Sequence, residues 1–146
     1  MGKVIGVGIR GSETEGVARV IFTTLGISFD DVIIEPPPIR NWDSYMERLD
    51  ARFVAAGVST SALMDLATKK EVSFINFDNV TMDRIIQANP YFVANVIPAG
   101  TYKGIDEDIA TPAVMAMLIT HDDMPVDVIY NFTKGMFENK DIIMHP

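Results

Sequence analysis

An α/β fold, with a mostly parallel sheet and helices on both faces, is what this sequence predicts. Three observations point there. Short apolar runs of strand length alternate along the chain with stretches that repeat their apolar residues at helical spacing. The first such run leads through a glycine-rich turn into a helical pattern, as a strand–turn–helix unit does. The chain has 146 residues, 48% hydrophobic and 22% charged, the composition of one soluble domain with its own core.

The elements follow in order. Residues 3–9 read as a buried strand, and Ser12 or Thr14 is placed to cap the next helix. That helix carries Val17, Val20, Ile21 and Leu25 on one face and stops at Gly26. Residues 31–35 form a second strand, ended by Pro36, Pro37 and Pro38, after which Trp42, Tyr45, Met46 and Leu49 share a helix face. A third strand fits 52–56, with Gly57 at its turn and a helix over about 60–68. A fourth strand fits 72–77. A short helix at 81–89 follows, capped by Asn79 or Thr81 and stopped by Pro90. Residues 93–97 make a fifth strand, and the Met-rich run 113–120 is strand-like. Between them, 98–112 is the longest irregular piece, a length that usually marks function or disorder. Pro125, at an N1 position behind Asp122 or Asp123, opens a helix bearing Val128, Ile129, Phe132 and Met136.

Charge and cysteine usage narrow the function. The net charge is −8 and the pI about 4.6, and the twelve basic residues are scattered. A nucleic-acid partner is therefore not expected, since phosphate binding draws on clustered Lys and Arg. The absence of cysteine removes disulfides, thiolate metal sites and cysteine nucleophiles. No apolar run approaches the roughly 20 residues of a membrane span, and the N-terminus lacks the apolar core of a signal peptide. A strand-like run beginning at residue 3 and an apolar end at 141–146 give the chain the look of an excerpt.

The motif Gly6-x-Gly8-x-x-Gly11 has the spacing of a dinucleotide-binding turn, and Glu35 stands 24 positions after the third glycine, at the end of the second strand. Glu13 and Glu15, however, would oppose a pyrophosphate at the helix start. Two other readings remain open: glycines serving turn geometry alone, and a nest of amides from Gly11 to Glu15, with the Ser12 and Thr14 hydroxyls, that holds a small anion. Catalytic sets are weak. His121 lies beside Asp122 and Asp123, but adjacent residues rarely converge on one ion, and His145 sits near the terminus. Asp106, Glu107 and Asp108 fit a solvated loop better than a calcium site. No serine has a claim to be a nucleophile, so no enzyme, metal or cofactor is expected.

Several blocks together resemble the TAXI family of TRAP-transporter solute-binding proteins. VGIRGSETEGVARVIFTTLGISFDDV resembles the segment opening that family's second lobe, where a Gly-Ser-Gly-Thr-Glu loop precedes a helix. LDARFVAAGVSTSALMDLA is similar to its Asp-Ala-x-Phe strand, glycine turn and helix. The most specific block is NPYFVANVIPAGTYKGIDEDIATPAVMAMLI, with the family's Ile-Pro-Ala-Gly-Thr-Tyr-x-Gly loop and acidic pair. MPVDVIYNFTKGMFEN is similar to the next helix.

The resemblance implies a periplasmic-binding-protein type II-like lobe. Residues 1–110 would be the second lobe of a two-lobed receptor, and 111–146 a strand and helix returning towards the hinge or first lobe. The function implied is capture of a small organic acid, such as glutamate or a related carboxylate, in the periplasm, for delivery to TRAP permease subunits in the membrane. The ligand-facing candidates implied are Gly11, Ser12, Thr14 and Glu15 in the first loop, and Gly57, Val58 and Ser59 in the second turn. Pro98, Ala99, Gly100, Thr101 and Tyr102 follow at the hinge or rim. This sequence departs from the family pattern at Glu13, in place of a glycine, at Arg10, in place of a proline, and at Arg52, where a small or apolar residue is commoner. The alternative is a small NAD-type nucleotide-binding enzyme domain using Gly6, Gly8, Gly11 and Glu35. A third expectation is self-association, since apolar surface would be left bare without a partner lobe.

Overall fold

In a computed structural model, residues 2–38 and 42–143 are described, without the side chains of 42, 43 and 143. His145 and the Trp42 side chain therefore lie outside the described residues. The chain divides into two units, residues 1–115 and 116–146.

The first unit is built on a three-stranded parallel sheet. Strand β1 (Val4–Gly6) lies between β2 (Ile33–Ile34) and β3 (Ala51–Arg52). Its register pairs Val4 with Ile33 and Ile5 with Ile34 on one side, and Ile5 with Ala51 and Gly6 with Arg52 on the other. Flanking bonds from Glu35 N–H to the Ile5 carbonyl (3.1 Å) and from Phe53 N–H to the Gly6 carbonyl (2.8 Å) continue both pairings. The strands are shorter than the apolar runs, for local reasons. Gly8, at φ 85°, breaks the extended backbone after β1. Before β2, Ser28 and Asp31 close a reciprocal capping box that turns Phe29–Asp31 into a 3₁₀ turn.

Helix α1 (Glu13–Leu25) starts at Ser12, whose hydroxyl accepts from Glu15 N–H. It ends at Gly26 in the left-handed conformation, φ 75°, with Ile27 N–H returning to the Phe22 carbonyl. It packs two cores at once. Ala18 and Phe22 join Ile5 and Val7 over the sheet, with Phe22 edge-on to Phe29 and Phe53. Ile21 joins Ile85 of α4 (Asn79–Ala88) and Phe92. Between these elements lie α2 (Trp42–Arg48), which buries Tyr45, and α3 (Ser61–Lys69), which buries Ala67.

The strands β4 (Phe92–Ile97) and β5 (Ile109–Val114) form a separate antiparallel hairpin, in register from Phe92↔Val114 to Ile97↔Ile109. Three expectations change here. The run 72–77 is not a strand: Val72 and Phe74 face a core, and although Phe77 N–H reaches the Ala110 carbonyl at 3.1 Å, the Ala110 amide is taken by the Asn76 side chain (2.8 Å) instead of by backbone, so the pairing does not continue into a ladder. The strand expected at 113–120 runs over 109–114, because β4 is used up at Val114. The α4 cap is Asp78, not Asn79 or Thr81: its carboxylate accepts from the Thr81 amide at 2.7 Å and from the Thr81 hydroxyl at 3.1 Å.

The second unit holds α5 (Val126–Glu138) and α6 (Lys140–Ile143). Pro125 stands at the N-cap rather than at N1. Val128, Ile129, Phe132 and Met136 are exposed, and none of the described residues of this unit is buried. Among the described residues, no helix is long and apolar enough to cross a membrane.

Candidate functional site

Because β1, β2 and β3 are parallel and adjacent, the segments that leave their carboxyl ends emerge at one edge of the sheet. In open α/β sheets that edge is where ligands bind. The first of these segments is the turn 7–12. Gly8 and Gly11 both have positive φ, 85° and 80°. A Cβ on Gly8 would meet Ser12 Oγ at 2.9 Å, so the capping serine folds directly over it. Gly6 has a different reason: its Cβ would lie 2.7 Å from Tyr45 Oη and 2.9 Å from Leu49 Cδ1.

The two glutamates that oppose an anion at this turn behave differently. Glu15 turns back, its Oε2 accepting from the Gly11 amide at 2.8 Å and its Oε1 from Arg19. The Gly11 bond first, and then Arg19, hold its carboxyl below the ordinary value of 4.5. Its charge is thus neutralised within the turn. Glu13 is exposed. Ser12 N–H bonds the Ile9 carbonyl and Glu15 N–H bonds Ser12 Oγ, whereas among the described residues no acceptor meets the amides of Glu13 and Thr14. Two donors at the positive end of α1 remain available to an acceptor.

Glu35, after β2, is held by Arg48 through Nε at 2.9 Å and through Nη2, while its carbonyl accepts from Tyr45 Oη at 3.0 Å. A carboxylate engaged in this way is not presented to a ribose. The three glycines and Glu35 each have a structural partner or a conformational reason in this fold.

After β3 comes Gly57-Val58-Ser59, exposed, with Ser59 at φ 66°. The third candidate segment, Pro98 to Tyr102, lies in the hairpin loop between β4 and β5. That loop is pinned by bonds from Gly100 N–H to the Ile105 carbonyl (2.7 Å) and from Ala99 N–H to Asp108 Oδ1 (2.8 Å). Asp108, counted above with the acidic trio, is therefore a loop acceptor. The structure brings the second and third segments together, since Ser59 N–H donates to Tyr102 Oη at 3.1 Å. An open depression of about 470 Å³ at the third segment is lined by Met64, Asp65, Thr68 and Gly100 to Lys103. The first segment shares the sheet edge with the second through β1 and β3, without a direct hydrogen bond to it among the described residues.

Two residues of this region escaped the sequence reading. Phe74 stacks on Tyr102, with ring centroids 5.2 Å apart and planes 19° from parallel. Its alternation with Val72 was the available signal. Arg48 had none, since only the fold carries it to Glu35. Among the described residues no three His, Asp or Glu side chains cluster as a metal site would require.

A profile of the NMT1-like family matches residues 1–145. The chain belongs to the NMT1-like family. This is a family of the periplasmic-binding type, and the parallel sheet flanked by helices fits one of its lobes. Membership in the NMT1-like family gives the chain a periplasmic solute-binding role, with a small-molecule ligand and a membrane transporter as partners. It does not favour the NAD-type alternative, in keeping with the engaged carboxylates of Glu15 and Glu35.

Proposed function

We propose that this chain is part of the solute receptor of a TRAP transporter of the TAXI type, binding a small organic acid such as glutamate and passing it, chemically unchanged, to the permease. It carries no catalytic role in this reading. The observation that carries the proposal is that β1 and β3 are adjacent and parallel, so the segments that lead to the turns at 7–12 and 57–59 leave the same carboxyl edge of one sheet. The amides of Glu13 and Thr14 are uncommitted there, and Tyr102 is joined to the second turn. Backbone donors at a helix start bind a carboxylate without a lysine, which suits a chain of net charge −8.

The test is titration of the full-length protein with L-glutamate and related small acids, for the wild type and for Ser12→Ala and Thr14→Ala. Each substitution removes one hydroxyl beside the uncommitted amides, and an affinity loss of about five- to tenfold is expected for at least one of them. Unchanged affinity in both would remove the two hydroxyls from the site, and no saturable binding of any of these acids by the wild type would overturn the proposal.

A further inference from the structure

Among the described residues, Ser59 is the one non-glycine residue with positive φ, at 66°. That conformation crowds Cβ against the following carbonyl oxygen, and it persists only where the surroundings impose it. Here the restraint is visible. The Ser59 amide donates to Tyr102 Oη at 3.1 Å, across 43 positions of sequence. Ser59 itself is exposed, but Tyr102 is only 3% exposed, packed with Ala67 and Ile105 and stacked on Phe74. The backbone on either side of the phenol is closed by the bonds Gly100 N–H to Ile105 carbonyl and Ile105 N–H to Tyr102 carbonyl, the latter at 3.1 Å. A rigid buried post thus meets an exposed, strained turn through one hydrogen bond.

We infer that Tyr102 is a positioning residue: its phenol oxygen holds Ser59 in the left-handed conformation, and so fixes the shape in which the Gly57-Val58-Ser59 turn meets the solute. This rests on the solute-receptor reading above. A buried tyrosine at this place supplies more than packing, because phenylalanine would fill the same space against Phe74 and Ala67 yet leave Ser59 N–H without its acceptor. Removing the acceptor releases Ser59 towards ordinary negative φ and so changes the path of the turn. A glycine at position 59 needs no such help, since it populates positive φ freely.

The experiment compares full-length wild type, Tyr102→Phe, Ser59→Gly and the double variant by two readouts. One is amide hydrogen exchange at Ser59 in the solute-free protein, and the other is calorimetric titration with L-glutamate, malate and 2-oxoglutarate. Tyr102→Phe is expected to speed exchange at Ser59 roughly tenfold, and to weaken binding of whichever acid binds wild type by a similar factor. Exchange in α3 should stay unchanged, because the ring still packs. Adding Ser59→Gly should recover most of the lost affinity, which a merely structural role for Tyr102 would not allow. Unchanged exchange at Ser59 in Tyr102→Phe, or a loss of affinity that Ser59→Gly fails to recover, overturns the inference. Accelerated exchange with none of the three acids binding any variant leaves the latch standing and removes the organic-acid reading instead.

Discussion

Gly6→Ala tests why the first glycine of the motif is there. The new methyl would lie 2.7 Å from Tyr45 Oη, 2.9 Å from Leu49 Cδ1 and 3.3 Å from Arg52 Cγ, where ordinary contact begins at 3.4 Å. The end of Leu49 is flexible and can turn aside. Tyr45 is 1% exposed, and its hydroxyl is tied to the Glu35 carbonyl at 3.0 Å. It must retreat by more than half an ångström, about the length of the misfit, which strains that bond and the packing around it. Overpacking of this kind costs about 1–3 kcal/mol, and a weakened hydrogen bond adds about 1 kcal/mol. The whole effect should be about 2–4 kcal/mol, a large share of a single domain's stability. Urea unfolding would measure it as a fall in midpoint at constant slope. A double-mutant cycle makes the argument specific: in a Tyr45→Phe background the closest clash is gone, and Gly6→Ala should cost about 1–2 kcal/mol less. Equal cost in both backgrounds, or a cost under about 0.5 kcal/mol in the wild type, would refute the steric explanation.

Two further outcomes follow from the structure. Asp78→Ala removes the side-chain acceptor at the start of α4 and should destabilise the first unit by about 1 kcal/mol, seen as a lower thermal midpoint with faster amide exchange at Thr81. Stability should also depend on pH at both extremes. Glu15, Asp50 and Asp78 have folded-state values held below 4.5, 3.8 and 3.8, through Gly11 and Arg19, Lys3 and Val4, and Thr81 respectively. Their stabilisation is therefore complete above about pH 5 and is lost as pH falls through the folded values. Burial raises the Tyr45 phenol above 10.0. Its contribution is complete below pH 10.0 and is lost as pH rises through its folded value. A urea midpoint that is flat from about pH 5 to 9 and falls on both sides is expected; a midpoint that rises on acidification below about pH 4 would contradict the carboxylate pairings.

What the sequence makes legible is local. Ser12 and Gly26 are recognisable as caps because their chemistry acts within one helical turn, and both stand where expected. The Asp78 cap was passed over because Asn79 and Thr81 beside it carry equally plausible oxygens, and only the backbone geometry selects among the three. Strand extent was less legible. Val72 and Phe74 alternate as a strand would, yet whether 72–77 forms a ladder is decided by Asn76 and Ala110, 34 positions apart. The hairpin of β4 and β5 likewise depends on a register no local pattern encodes. In the candidate site, the turns at 7–12 and 57–59 could be located from glycines and strand ends. The contact between Ser59 and Tyr102 could not, being a product of folding across 43 positions.

The most direct measurement is calorimetric titration of the full-length protein with a panel of small organic acids, L-glutamate among them, and in parallel with NAD and NADP. Saturable binding of at least one small carboxylate and flat heats with both dinucleotides are expected. Saturable dinucleotide binding, with no response to any acid, would contradict the solute-receptor reading and return the glycine turn to a nucleotide.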